Sequence, residues 1–175
     1  VASAFGHLIA AVAIVKVTTR SPQSANLWVW ALISSVVADA DVIGFQYGIE
    51  YGSSLGHRGL SHSILFAAVW SLVLVLAFFR KQESRVWTWV TLFLATLSHG
   101  ILDAMTDGGL GVGFFLPFSP QRYFFSFRPI SVSPIGVRGF WQSGGPVLLN
   151  EFYWIGLPSM LVIAFVMARE SRRRR

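Results

Sequence analysis

Ser98-His99-Gly100-Ile101-Leu102-Asp103-Ala104-Met105-Thr106-Asp107 closes an apolar run that begins at Val86. A helix over Val86 to Met105 is long enough to cross a bilayer, which takes about 20 apolar residues. Its last turns nevertheless carry a histidine and a carboxylate. His99 and Asp103 are four positions apart, so they share one helix face, a turn from each other. Ionisable groups at membrane depth are costly; where they occur they face the bundle interior and mark functional sites. At an interfacial helix end the same two residues would simply reach water, so the choice between these readings falls to the rest of the chain.

The composition sets the class. Of 175 residues, 54% are hydrophobic and 13% charged, whereas a soluble domain carries about 25% charged residues. A single membrane-embedded, all-α domain over residues 1–175 is the simplest reading. Cysteine is absent, which removes disulfides and thiolate ligands from consideration. The net charge of +6 does not indicate nucleic acid, because five of the fourteen basic residues are Arg169 and Arg172 to Arg175. Such a cluster reads as a cytoplasmic anchor behind a last span.

Five transmembrane helices are expected, at about residues 1–17, 27–45, 63–79, 86–105 and 152–167. The first just spans the core if a few further residues precede it. The last is short and interrupted by Pro158. Thr18 to Asn26 is a polar turn with Arg20 and Pro22, Gln46 to Ser61 a Gly/Ser-rich loop, and Arg80 to Arg85 a basic loop. Ser61 reads as the N-cap of the third span. Asp107 to Glu151 is a long outer connection rich in Gly, Pro and aromatic residues. Alternate loops fall on alternate sides. Ten basic residues lie on one side (Lys16, Arg20, Arg80, Lys81, Arg85 and the tail) and four on the other (Arg58, Arg122, Arg128 and Arg138). The positive-inside rule makes the first side cytoplasmic, with the N-terminus outside and the C-terminus inside.

This topology brings the ionisable residues to one face. His7, Asp39 and Asp41, His57 and His62, and His99, Asp103 and Asp107 all fall at the outer ends of their spans. Imidazoles and carboxylates grouped without thiolates suit a divalent metal: zinc first, with manganese or iron(II) as alternatives. The candidates exceed four, which suits one metal with supporting carboxylates or a pair of metals. Asp39 and Asp41 are two apart and point about 200° from each other on a regular helix. Either one is a ligand and the other supports it, or the helix unwinds toward Gly44. A proton relay or hydrogen-bond network is the competing use of such residues.

The segments His57-Arg58-Gly59-Leu60-Ser61-His62-Ser63, Ser98-His99-Gly100-Ile101-Leu102-Asp103 and Leu116-Pro117-Phe118-Ser119 resemble the YdjM-like family. These are bacterial inner-membrane proteins described as metal-dependent hydrolases. The likeness runs from His7 to about Pro134, with Arg122-Tyr123-Phe124-Phe125 in register. The family's Pro-Asp-x-Asp element stands here as Ala38-Asp39-Ala40-Asp41. The resemblance implies metal-assisted hydrolysis in the inner (plasma) membrane and supplies no substrate.

Together these readings give a membrane-bound metal-dependent hydrolase. Its metal ligands are His7, Asp39, Asp41, His57, His62, His99 and Asp103, with Asp39 either a ligand or a support. Asp107 is a general base or acid, or a turn residue beside Gly108 and Gly109. Arg58 is a clamp for phosphate or carboxylate, or a solvated loop arginine. The connection carries Tyr123, Phe124, Phe125, Phe127, Phe140 and Trp141 among Arg122, Arg128 and Arg138, a mixture suited to the headgroup zone. As a lid it would admit substrate from the bilayer, which favours an ester or phosphoester of a lipid or lipid-linked molecule. The partners expected are membrane lipid and that substrate, without nucleic acid; oligomeric state stays open. Two non-catalytic readings stand beside this one: metal or proton transport, and a structural metal that pins helices. The topology is checked by single-cysteine labelling of intact cells: an outside reagent should mark Ser53→Cys and spare Ser84→Cys, and the reverse pattern would put the site in the cytoplasm.

Overall fold

A computed structural model describes residues 1–19, 24–82, 84–134 and 137–173. Arg20, Pro22, Arg174 and Arg175, used in the topology above, lie outside these residues, as does the side chain of Arg138. Among these described residues six α-helices follow in order: α1 Ala4–Thr18, α2 Ala25–Val36, α3 Ile64–Phe78, α4 Arg85–Ala104, α5 Val137–Glu151 and α6 Leu157–Arg173. Serine caps start three of them. Ser3 accepts from the Gly6 amide, Ser24 from Leu27 and Ser63 from Phe66, each closing an otherwise orphaned donor of a first turn. The cap of α3 is therefore Ser63 rather than Ser61, whose hydroxyl turns to Asp41 instead.

α4 is the central helix, packed against α1, α2 and α3, while α6 lies against α1. One apolar core is built from Ala11 and Val15 of α1, Leu27 and Ala31 of α2, Leu74, Val75 and Phe79 from α3 and its cap, and Leu92 and Ala95 of α4. Small residues on facing helices allow the close approach that apolar lipid alone does not drive. Two helical stretches, Ala25–Tyr47 and Gly144–Arg173, are long and apolar enough to cross a membrane; α1 and α3 are apolar but shorter.

Two regions depart from the expected elements. α2 gives way at Val37 to a 3₁₀ segment, Val37–Tyr47, so the second span changes its winding just where it reaches Asp39 and Asp41. The expected outer connection contains a helix: α5 runs on through a π-helical turn, Phe152–Gly156, into α6. Gly139, Gly144, Gly145 and Pro146 make α5 a poor helix by propensity, and packing of the π turn on α1 overrides that preference. Among the described residues the rest of the connection holds only isolated bridges, Thr106 with Ile130 and Val112 with Tyr123. It is no loose lid: Phe125 N–H donates to Ala104 O, Ile130 N–H to Met105 O and Ile64 N–H to Phe114 O.

Gly100 allows a close approach between α4 and the His62 turn. A Cβ there would stand 2.9 Å from the His62 carbonyl oxygen and 3.2 Å from the Phe114 ring. Gly100→Val should therefore push the His62 turn off α4, at a cost of about 1–3 kcal/mol for overpacking. The expected outcome is a lower Tm in detergent together with less bound metal; a variant with wild-type Tm would contradict this packing.

Candidate metal centre

Four elements meet at one end of the bundle. α4 contributes His99 and Asp103, both fully buried on its inner face. The 3₁₀ turn Leu60–His62 contributes His62, and the loop before it His57. The Val37–Tyr47 segment contributes Asp39 and Asp41. At three residues per turn, carboxylates two apart diverge by about 120°, against about 160° on an α-helix. The tighter winding thus lets both point into one region.

Asp39 Oδ1 lies 3.2 Å from His99 Nε2 and 3.8 Å from His62 Nε2. Asp103 Oδ2 lies 3.4 Å from His62 Nε2 and 3.8 Å from His99 Nε2. These four residues each offer one atom to a common centre, all within 4.8 Å of one another. Ligand atoms about 2.0–2.1 Å from a tetrahedral ion stand about 3.3–3.4 Å from each other. The observed separations bracket that value, and most exceed a good hydrogen bond. His62 Nε2 and Asp103 Oδ2 are buried and have no hydrogen-bond partner, which is how atoms aimed at a cation look without one. Charge gives the same answer. Asp39, Asp41 and Asp103 against the single Arg58 leave two negative charges where the histidines are neutral, matched by one divalent ion.

The groups behind this set fix its orientation. His99 Nδ1 is 2.7 Å from Ser35 O; donation there leaves Nε2 with its lone pair toward the centre. His62 Nδ1 sits 2.9 Å from Ser61 Oγ and 3.3 Å from Asp41 Oδ2, the carboxylate–histidine arrangement that raises ligand basicity. Ser61 in turn donates to Asp41 Oδ2 at 2.6 Å. His57 Nδ1 is 2.7 Å from Asp41 Oδ1, a hydrogen-bond length too short to hold an ion between the two atoms. Asp41, His57 and His62 nonetheless form a second, overlapping group of possible ligands. Ala2 N–H donates to Asp103 Oδ1 at 2.9 Å.

The remaining sequence candidates fall beside the centre. His7 is fully buried and stacks on His99, ring centroids 3.7 Å apart, with Nε2 3.6 Å from Asp103 Oδ1; it stands outside the four-residue set. Arg58 is not a solvated loop arginine. It is fully buried in a left-handed conformation, φ 61°. Its Nη1 donates to Gly108 O, its Nη2 to Thr106 Oγ1, and its Nε stands 3.3 Å from Asp103 Oδ2. The Nε contact backs Asp103, and the two terminal nitrogens each donate to a group of the protein itself. Gly109, φ 94°, belongs to the same arrangement: a Cβ there would meet Arg58 Nη1 at 2.5 Å. Asp107 is not brought to the centre. α4 ends at Ala104, so the helical spacing that pairs Asp103 with His99 does not continue to it. Asp107 is exposed, and its Oδ1 accepts from Val132 N–H at 2.8 Å.

Sequence reasoning missed two residues that hold the site. Arg122, read as a headgroup arginine, turns inward: Nη1 donates to His57 O at 3.0 Å and Nη2 to Ser53 O at 2.9 Å. It thereby clamps the loop that delivers His57 and Arg58. Burial lowers its pKa below the ordinary guanidinium value, and burial likewise raises the hydroxyl of neighbouring Tyr51. Glu151, read only as the end of the connection, is buried and accepts from both the amide and the hydroxyl of Ser3. The available signal was a lone carboxylate heading an apolar span.

A family model described as YdjM inner membrane protein matches residues 3–174. An Escherichia coli (strain K12) protein named inner membrane protein YbcI is 37% identical over 142 residues, covering 79% of this chain and 81% of the relative. No solved structure gives a significant match.

Metal analysis of detergent-purified variants tests the centre. His62→Ala and His99→Ala should each lower the metal bound per chain while the helical circular dichroism stays unchanged. Asp41→Asn should weaken metal affinity about 10–100-fold, the usual effect of removing a partner behind a ligand. Asp107→Asn should keep wild-type metal content. Full content in both histidine variants would eliminate the site.

Proposed function

The chain belongs to the YdjM inner membrane protein family, and on that premise we propose that it is a membrane-bound metal-dependent hydrolase. In this reading His62, His99 and Asp103 hold one divalent ion, zinc by the nitrogen and oxygen donor set, and Asp39 stands beside it on the exposed side. When bound, such an ion polarises a substrate oxygen and lowers the pKa of water. The observation that carries the reading is the asymmetry of access: side chains His62, His99 and Asp103 are completely buried, whereas that of Asp39 is 27% exposed. A structural site is closed on all sides; a catalytic one keeps a side open.

The chain's own residues then divide the work. Ser35 O, Asp41 and Ser61 orient the two histidines, and Arg58 with the Ala2 amide holds Asp103. Asp39 presents Oδ1 to the histidines; its other oxygen is the acceptor assigned to the proton that water loses. That proton later goes to the leaving alcohol, completing hydrolysis of the ester bond. Asp107 has no part in this.

Substrate comes from the membrane's outer face in this reading. Tyr47, Phe118 and Trp141 are 80%, 84% and 82% exposed, and aromatic side chains of this kind suit the headgroup zone. Arg58 and Arg122 donate to groups of the protein itself, and the Arg128 guanidinium lies over the Phe124 ring at 4.6 Å. Exposed aromatic side chains suit an ester or phosphoester of a lipid or lipid-linked molecule as the substrate.

Purified protein should hydrolyse such esters or phosphoesters, lose activity on chelation and regain it with added zinc or manganese. Asp103→Asn should lose metal and turnover together. Asp39→Asn should lower turnover at least 10²-fold, the lower bound for loss of a general base, and Asp107→Asn should leave both metal and turnover near wild type. Loss of turnover in Asp107→Asn with metal retained would return the base to Asp107. Wild-type protein inert toward every lipid ester and phosphoester, with metal bound, would sink the hydrolase reading.

A further inference from the structure

The end of α1 remote from His7 carries a second feature. A groove of about 560 Å³ opens between the last turn of α1 and the last turns of α6. Val17, Leu161, Val162, Phe165 and Val166 line it, and Lys16, Arg169 and Arg173 stand along it with the single opposing carboxylate Glu170. The volume falls within the ~300–1,000 Å³ of ligand-binding clefts. Its composition is that of an amphiphile's mirror image: an apolar floor continuous with a membrane-facing helix, then three cations against one anion. Leu161 and Phe165 are 71% and 65% exposed, so apolar surface is left uncovered on the floor.

We propose that this groove binds one anionic phospholipid, with an acyl chain on Val17, Leu161, Val162 and Phe165 and the phosphate among Lys16, Arg169 and Arg173. Both ends of the ligand are recognised, which a free phosphate or a neutral lipid would not achieve. The site lies at the face assigned to the cytoplasm, where anionic headgroups attract basic juxtamembrane residues. It depends on the chain's place in a membrane and on neither the metal nor the hydrolytic reaction.

Delipidated full-length protein in detergent, offered phosphatidylglycerol and phosphatidylcholine in equal amounts, tests this by native mass spectrometry. Wild type should retain one phosphatidylglycerol in preference to phosphatidylcholine. Each of Lys16→Gln and Arg169→Gln should weaken that retention on the order of fivefold, the effect of one cation near an anionic lipid. The combined K16Q/R169Q/R173Q variant should abolish the preference. Lys16→Arg should restore it, and metal content should stay at the wild-type level in every variant. Arg80→Gln, at an exposed cation outside the groove, should change nothing. Equal retention of the two lipids by wild type overturns the proposal. So does undiminished retention in both single variants, or an equal loss in Arg80→Gln, which would mean diffuse surface charge. Displacement of the lipid by millimolar inorganic phosphate would assign the cations to a free anion and overturn it as well. A failure here with metal binding intact leaves the metal centre standing, and the reverse pattern leaves the lipid groove standing.

Discussion

Burying Asp103 is the constraint on which the rest of the structure depends. A carboxylate taken wholly out of water costs several kcal/mol unless it is paired and hydrogen-bonded. Around this one the chain gathers the Arg58 guanidinium, the Ala2 amide, His7, His62 and His99. Even so, Oδ2 has no hydrogen bond, and neither has the His62 nitrogen that faces it. Two more carboxylates, Asp39 and Asp41, stand within the same group of side chains. A protein that needed only a stable core would satisfy these groups or replace them with apolar ones. An arrangement that holds negative charge and lone pairs apart at ion-sized separations is one that could hold a cation.

The backbone bends to serve that arrangement. α2 ends where a regular helix would have sent Asp39 and Asp41 to nearly opposite sides, and the 3₁₀ winding from Val37 draws both toward the histidines. Carbonyls in the last turn of a helix lack intrahelical partners; that of Ser35 is taken by His99 Nδ1. On the opposite side, Gly100 allows the His62 turn to lie directly against α4. Arg58 adopts a left-handed conformation, uncommon for any residue but glycine, and reaches Asp103 from the loop that Arg122 holds by its carbonyls. The strained and irregular segments thus lie around the centre, while the regular helices form the apolar core away from it.

Much of this was legible because it rests on periodicity. His99 and Asp103 lie one turn apart on a helix that continues unbroken through both, and the spacing alone puts them on one face. Unwinding beside Asp39 was one of two alternatives the spacing left open. The same arithmetic misplaces Asp107, since α4 stops at Ala104 and the periodicity stops with it. Ser61 and Ser63 are equally good caps by type; the tertiary demand of Asp41 for a donor decides between them. Arg122 was unreadable for a different reason: its partners are backbone carbonyls, which every residue possesses, so no residue pattern marks them. α5 was unreadable because its glycines and proline argue against a helix that packing then enforces.

The interior of the bundle below the centre bears on what the cluster is for. α4 buries a stripe of hydroxyls, Thr88, Thr91 and Thr96, on the way to His99. Each bonds back to a carbonyl of the preceding turn: Thr88 to Ser84, Thr91 to Trp87 and Thr96 to Leu92. Ser71 does the same toward Ala67 on α3. The Thr91 hydroxyl also meets that of Thr18 on α1, 2.9 Å away; none of these hydroxyls carries a charge, and their bonds serve close packing of spans. A transport route would need ionisable or open polar groups continuing from the cluster toward the other face. Here the described ionisable residues of α4's buried face stop at His99, and the core beyond is Val15, Leu27, Ala31, Leu74 and Leu92. The centre is open on the Asp39 side, and beneath it the described residues of α4's buried face continue with no ionisable group.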